Sequence, residues 1–354
     1  MIKIRIKDII NNFDCKLIYG NENELLENFS KDTRNINKND VYVGIKGENF
    51  DGNLFYEDAL NKGAKIAIVE KNSIDINNIT EYKNKTLVIC EDSVKLLQQI
   101  AAYKRNLIKV PVIAVTGSVG KTSTKDMIYS VLKEEFNVLK TEGNFNNHLG
   151  LPLTLLKYKN EDIVVVEMGM NNLGEISLLS NIAKPNIAVI TNIGTAHIGN
   201  LGSRENILKA KLEILDGMSD GVLIINNDND LLHNNLDKIK DKIKTITIGI
   251  NNNSNYMANN IEEEVFESNF KIEDNDINIK VGGKVFIYNS LIAYSIGKYL
   301  NMNDKNIVKG LENFKLAENR LEKIKIKELS FIIINFYIFF HKKSEFYSLS
   351  LFFK

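Results

Sequence analysis

The 354 residues are enough for two or three domains, and 44% hydrophobic with 25% charged residues supplies ample material for globular cores. Lysine plus arginine and aspartate plus glutamate both number 45, a balance that argues against nucleic acid or an anionic membrane as the main partner. Cys15 and Cys90 lie far apart and lack metal-ligand spacing, so no disulfide framework is expected and a reducing cytoplasm fits.

The start, MIKIRIKDII, alternates charged and aliphatic residues and has no apolar core of a signal peptide. Residues 1–85 read as a small α/β domain, with strands over 41–45 and 64–69. A helical stretch over 53–62 lies between them and ends at Gly63. A further strand covers 87–90, and a helix over 93–105 leads into a second domain expected to span 86–320. There the apolar runs 112–115, 163–166, 187–190 and 222–225 alternate with helical patterns over 122–136, 174–183 and 205–215. Continuous apolar strands alternating with helices predict a parallel sheet covered on both faces. Residues 243–288 read as shorter strands in an antiparallel appendage, and 290–300 and 306–314 return to helix. No repeat is present. The longest apolar run, 329–340, is too short to span a bilayer and contains Ser330 and Asn335.

The segment VIAVTGSVGKTST, residues 112–124, carries the strongest chemical signal. A buried strand breaks at Thr116-Gly117, turns through Ser118-Val119-Gly120 and enters a helix bearing Lys121, Thr122 and Ser123. Glycines let backbone N–H groups approach phosphates, and the helix start presents unpaired donors at a positive dipole end. Lys121 would neutralise the β- and γ-phosphates and the Thr122 hydroxyl would ligate Mg²⁺. Gly117 lies three residues before Gly120, where the usual nucleotide loop has five. The competing reading is an ordinary strand–turn–helix with a solvated lysine.

Glu167 ends an apolar strand, where open α/β sheets bind ligands, and can ligate Mg²⁺; the alternative is a surface glutamate. His197 follows the small-residue loop TNIGTA at the same expected edge, and a lone histidine is more often structural. The helix after it buries Ile207, Leu208, Leu212 and Leu215, leaving Lys209 and Lys211 on what reads as a solvated face. The segment 141–152, TEGNFNNHLGLP, places Asn144, Asn146 and Asn147 in a loop fit to bind a polar ligand, or in a simple asparagine-rich turn.

Together these segments resemble the Mur ligase family of ATP-dependent amide-bond-forming enzymes. The matching stretches are TGSVGKTSTKDM (116–127), TEGNFNNHLGLPLTLL (141–156), VVEMGMNNLGEI (166–176), TNIGTAHIGNLGSRENILKAKLEI (191–214) and ENRLE (318–322). Residues 30–34, 44–47 and 51–55 extend the resemblance to the N-terminus. The branch it favours joins D-alanyl-D-alanine to UDP-N-acetylmuramoyl-tripeptide in peptidoglycan precursor synthesis.

The resemblance implies that ATP phosphorylates the tripeptide carboxylate and the dipeptide amine attacks the acyl phosphate. Lys121, Lys211 and His197 are then catalytic. Thr122, Glu167, His197 and Lys211 lie on the metal side, with Lys211 carbamylated by CO₂. Thr116, Gly117, Ser118, Gly120, Lys121, Thr122, Ser123, Asn226, Asp228 and Arg320 hold ATP. Ser30, Asp32, Arg34, Lys46, Gly47, Asn144, Asn146 and Asn147 hold the UDP-linked substrate. A cytoplasmic monomer with small-molecule substrates is implied.

Two features depart from the family. Val285 stands where many relatives have histidine. After residues 321–335, which begin the family's third domain, residues 336–354 read as an aberrant tail. A chain so truncated is expected to bind Mg-ATP without ligating, and the aromatic residues of the tail are expected to lower solubility. A nucleotide- or UDP-sugar-binding remnant and a folylpolyglutamate synthase-like ligase are the competing readings.

Overall fold

The computed structural model describes residues 2–316 in full and, beyond them, the backbone of four strands: Arg320–Ile326, Leu329–Ile334, Tyr337–Lys342 and Glu345–Leu349. The first unit contains α1 (Ile6–Asn12), β1 (Cys15–Tyr19), β2 (Phe29–Ser30), β3 (Val41–Val43), α2 (Tyr56–Lys62), β4 (Ile66–Glu70) and β5 (Thr86–Cys90), followed by α3 (Ser93–Leu107). Its sheet has the order β1-β5-β4-β3-β2, parallel except for β1. β5 lies inside this sheet, so the first domain continues past the expected boundary at 85. Gly63 closes α2 at φ 131°, as its sequence position predicts.

The second unit runs β6 (Val112–Thr116), α4 (Lys121–Leu132), β7 (Val138–Lys140), α5 (Gly150–Leu156), β8 (Ile163–Glu167), α6 (Glu175–Ala183), β9 (Ile187–Ile190), α7 (Ile198–Leu201) and α8 (Arg204–Leu212). It continues with β10 (Val222–Asn226), α9 (Asp230–Asn234), α10 (Leu236–Lys240), β11 (Lys244–Gly249), β12 (Tyr256–Glu263), β13 (Ser268–Ile272), β14 (Asn275–Ile279), α11 (Lys284–Tyr299) and α12 (Asp304–Glu312). Nine strands form one sheet in the order β14-β13-β12-β11-β10-β9-β6-β8-β7. The expected appendage over 243–288 is therefore part of the central sheet. β11 and β12 continue it in parallel, only β13 and β14 turn antiparallel, and residues 284–288 begin α11.

Alternation along β6 builds the two helical layers. Ile113 and Val115 pack with Met127, Ile128 and Val131 of α4 and Leu291 of α11, while Val112 and Ala114 face Leu151, Leu155 and Leu179. β6 pairs with β8 on one side and β9 on the other, and the chain leaves it in both directions. That is the topological switch point, where ligands lodge at strand carboxyl ends.

Helix α3 ties together two helices of its own layer, α5 and α6. Lys104 Nζ donates to Leu156 O at 2.6 Å, capping α5. The Arg105 guanidinium donates to Ala183 O (2.5 Å), Lys184 O (2.7 Å), Ile108 O (2.9 Å) and Asn186 Oδ1 (3.2 Å), capping α6. Cys15 and Cys90, remote in sequence, face each other across β1 and β5 as buried free thiols. Burial pushes them up, to about 11 and about 12. Among the described residues no helix is long and apolar enough to cross a membrane.

Arg105→Ala should lower stability by about 2–4 kcal/mol, because buried carbonyls lose charged donors. Urea unfolding checks this, and an unchanged midpoint would contradict the capping role.

Candidate active site at the switch point

The turn after β6 can be built only with glycine. A Cβ on Gly117, at φ 152°, would lie 1.9 Å from Thr191 Oγ1, and Gly120 precedes α4 at φ 85°. The loop is then pinned by the strand end opposite. Val119 O accepts from Thr191 Oγ1 (2.8 Å) and Asn192 Nδ2 (2.9 Å), and Val119 N–H donates to Asn192 Oδ1 at 3.1 Å. Ser118 N–H donates to Asn192 O, and Ser118 Oγ accepts from Gly194 N–H at 2.9 Å. Thr116 Oγ1 donates to Met168 O at 3.0 Å. Lys121 Nζ folds back to Gly117 O at 2.8 Å, within its own loop. The cradle is thus pre-shaped, with the first turn of α4 carrying Thr122 and Ser123 at its mouth.

Glu167 is fully buried at the end of β8, which removes the surface-glutamate reading. Its Oε1 accepts from Asn146 Nδ2 at 2.8 Å, and its backbone N–H is held by Thr141 Oγ1 at 3.0 Å. Oε2 has no hydrogen-bond partner among the described residues. Its nearest cation is the buried Lys125, with Nζ at 3.8 Å. A buried carboxylate oxygen without a hydrogen bond is costly, and a hard cation that takes oxygen ligands would satisfy it. The donor set therefore fits Mg²⁺, with Thr122 and Glu167 as the residues that would hold it. Among the described residues no three His, Cys, Asp or Glu side chains cluster, so the remaining ligands must come from elsewhere.

Lys211 supplies the second surprise. Its position between Leu208 and Leu212 reads locally as solvated, yet it is only 1% exposed. No hydrogen bond or ion pair to its ammonium is present among the described residues. Burial first, and the charge of Lys121 second, lower its pKa to about 7. His197 caps α7 at φ 65° and is exposed. Its pKa is lowered by partial desolvation and by the charges of Lys121 and Lys211, against a raising influence from Glu175. Lys121 is itself lowered by burial, with Glu167 opposing. Lys121 is thus the electrostatic neighbour of Glu167, His197 and Lys211.

Other residues read from the sequence divide. Asn146 orients Glu167, whereas Asn147 Oδ1 accepts from Gly150 N–H at 2.9 Å and caps α5; Asn144 is exposed. Asn226 Oδ1 accepts from Asp228 N–H at 2.9 Å. The Asp228 carboxylate is taken up by the N–H groups of Ile250 (2.6 Å), Asn251 (3.0 Å) and Asn252 (2.7 Å) and by the Tyr288 hydroxyl (2.9 Å). Burial works against ionisation there, and these donors hold its pKa below the usual carboxylate range. Asp228 therefore shapes a loop and has no oxygen free for a nucleotide. The Arg320 side chain lies outside the described residues.

Ser30, Asp32, Arg34, Lys46 and Gly47 stand where parallel strands β2 and β3 run out. Arg34 chelates Asp32 (Nη2–Oδ2 2.7 Å), and this pairing holds the Asp32 carboxyl at about 2. Beneath the phosphate loop lie Asn289 and Val285, the residue that departs from the family. Asn289 of α11 accepts from Thr124 Oγ1 at 2.8 Å, its buried Nδ2 has no hydrogen-bond partner among the described residues, and Oδ1 lies 3.7 Å from where a Gly120 Cβ would be. Val285 reaches the same point at 3.8 Å.

Comparison with known proteins shows the family. A profile described as the Mur ligase middle domain matches residues 115–297, and one described as the Mur ligase family, catalytic domain, matches residues 27–105. The UDP-N-acetylmuramoyl-tripeptide–D-alanyl-D-alanine ligase of Bacillus subtilis (strain 168) is 38% identical over 330 residues, covering 92% of this chain and 70% of the relative. The chain belongs to the Mur ligase family. The crystal structure of MurF from Acinetobacter baumannii aligns with a TM-score of 0.79 at 30% identity, over 88% of this chain and 68% of that one. MurF ligase from Thermotoga maritima, solved in complex with ADP, aligns with a TM-score of 0.73 at 28% identity, over 85% and 69%. This Mur ligase chain spans about 70% of the length of the Bacillus subtilis relative and of the two crystal structures.

The buried Lys211 makes a pH prediction. Its pKa falls from 10.5 in the unfolded chain to about 7 in the fold. Between those values the unfolded chain binds more protons, so stability rises with pH and is lost as pH falls toward 7. In CO₂-free buffer, Lys211→Met should gain stability over the wild type at pH 6.5 and lose most of that advantage by pH 9.5. Equal differences in urea midpoint at both pH values would contradict the buried, unpaired amine.

Proposed function

We propose that the chain performs the substrate-activating chemistry of an ATP-dependent UDP-N-acetylmuramoyl-tripeptide–D-alanyl-D-alanine ligase. The observation that carries the reading is the convergence of Lys121, the free oxygen of Glu167 and the unpaired amine of Lys211 on one nucleotide cradle. The family membership of both units supports it, including the match over 27–105, which a ligase sharing only the central domain would lack.

In this reading the N–H groups of the 117–121 turn and the Lys121 ammonium receive the ATP phosphates. Thr122 and Glu167 would hold Mg²⁺, which would supply neutralisation of the charge that develops on the phosphates. Near pH 7 a large fraction of Lys211 is neutral amine, the form able to add CO₂. Carbamylation would turn a cation beside Lys121 into an anion facing the metal side. His197 lies at the rim, where its imidazole can orient the tripeptide carboxylate for attack on the γ-phosphate. That attack releases ADP and leaves an acyl phosphate, which the dipeptide amine would attack in the complete ligation with loss of phosphate and a proton.

A cleft of about 350 Å³ runs between the two units, lined by Phe29, Ser30, Asp32, Phe145 and Lys157 among others. It joins the carboxyl edge of the first sheet to the loop that bears Glu142 and Phe145. At that edge Lys46 and Phe50 sit on one tight hairpin, and Phe50, Leu54 and Phe55 are exposed. Cations beside exposed rings suit a diphosphate joined to a base. We therefore place the UDP end at Ser30–Arg34 and Lys46–Gly47, the peptide end at Glu167 and Lys211, and the reaction in the cytoplasm, where ATP is supplied.

Calorimetry with the full chain tests the assignment. Lys121→Ala should weaken Mg-ATP binding at least about tenfold, through loss of a charged partner to phosphate, while UDP-N-acetylmuramoyl-tripeptide still binds. Unchanged ATP affinity would remove the cradle assignment, and absence of tripeptide binding in the wild type would remove the substrate assignment.

A further inference from the structure

Glu213 belongs to none of the residue sets above. Helix α6 begins behind Gly174, which lies at φ 86° and has no side chain to accept from the first N–H groups of the helix. Such donors need a partner. Glu213 provides it from 39 residues away: Gly174 N–H donates to Oε1 and Oε2 at 2.9 Å each. Ser177 N–H donates to Oε2 at 3.2 Å. A second tie lies one turn on, where Ser180 Oγ donates to Ile214 O at 2.5 Å and accepts from Gly217 N–H at 3.1 Å.

The place of this clamp in the chain gives it meaning. Glu167 ends β8, and residues 168–174 run from it directly into α6. Lys211 stands near the end of α8, two residues before Glu213. The intervening loop is closed on itself, since Glu175 accepts from Asn171 N–H and Asn172 Nδ2 at 2.9 Å each. One carboxylate therefore fastens the far end of the Glu167 loop to the end of the helix that carries Lys211.

We propose that Glu213 is a positioning residue that sets the separation of Glu167 and Lys211 and thereby the metal affinity of the nucleotide site. The inference rests on the reading of Glu167 as a metal-side residue. A mere helix cap adds stability alone, whereas a positioning residue also moves metal affinity.

The test is Mn²⁺ binding to the ADP complex of the full chain, read by electron paramagnetic resonance, with metal-free ADP affinity measured by calorimetry. Glu213→Ala should weaken Mn²⁺ about tenfold, the size expected for a partner that orients a ligand. Glu213→Gln keeps one acceptor oxygen and should fall between it and wild type, and metal-free ADP affinity should hold in both. If Glu167→Gln weakens Mn²⁺ while both Glu213 variants match wild type, the positioning role is overturned and the metal site stands. If Glu167→Gln also leaves Mn²⁺ unchanged, the metal-site reading falls and this inference with it. Loss of metal-free ADP binding in Glu213→Ala, with Glu213→Gln at wild type for both ligands, overturns it as well, because Glu213 then only maintains the fold.

Discussion

Buried positive charge without enough negative charge is the constraint on which the site depends. Lys121, Lys125 and Lys211 all have pKa values lowered by burial, and Glu167 is the carboxylate set among them. Charges withdrawn from water are costly unless paired. Lys125 has Asp126 at 3.6 Å as well as Glu167, and Asp126 in turn takes Lys140 at 2.6 Å. Among the described residues the Lys121 ammonium bonds only the carbonyls of its own loop, with the Glu167 charge nearby, and Lys211 has no hydrogen bond or ion pair. A polyphosphate and a carboxylate are the kinds of ligand that would relieve such a centre, and the proposed addition of CO₂ to Lys211 would relieve it from within.

The fold serves that centre by fixing where each charge stands. β6, β8 and β9 run out side by side, so the phosphate loop, Glu167 and the 191–197 loop reach one edge. Close backbone contacts then set the distances: Gly117 against Thr191, and Val119 against Asn192. Behind them, α3 clamps α5 and α6 through Lys104 and Arg105. Rigid elements hold a site more precisely than loops do, and here each loop is tied back to a neighbouring strand or helix.

Much of this was legible in the sequence because it is local. The phosphate loop is a contiguous strand, glycine turn and helix, and Glu167 follows an apolar run that can only be a buried strand. What was not legible comes from contacts between distant segments. Lys211 reads as solvated because it stands with Lys209 on the polar side of its helix, and only the packing of α8 against α6, α7 and α9 buries it. Asp228 follows a strand as a ligand residue would, yet residues 250–252 consume its oxygens. Asn147 and Asn146 are adjacent, but one caps a helix and the other holds Glu167. β1 and β2 escaped notice because short strands with polar residues carry no period to read.

The measurement that bears most directly on the account is ¹³C NMR of the chain equilibrated with ¹³C-bicarbonate and Mg²⁺ near pH 8. An anion-seeking centre with a neutral amine at Lys211 predicts a protein-bound carbamate resonance that disappears in Lys211→Met. No carbamate resonance in the wild type at saturating bicarbonate would contradict the claim that this buried lysine exists to be turned into an anion.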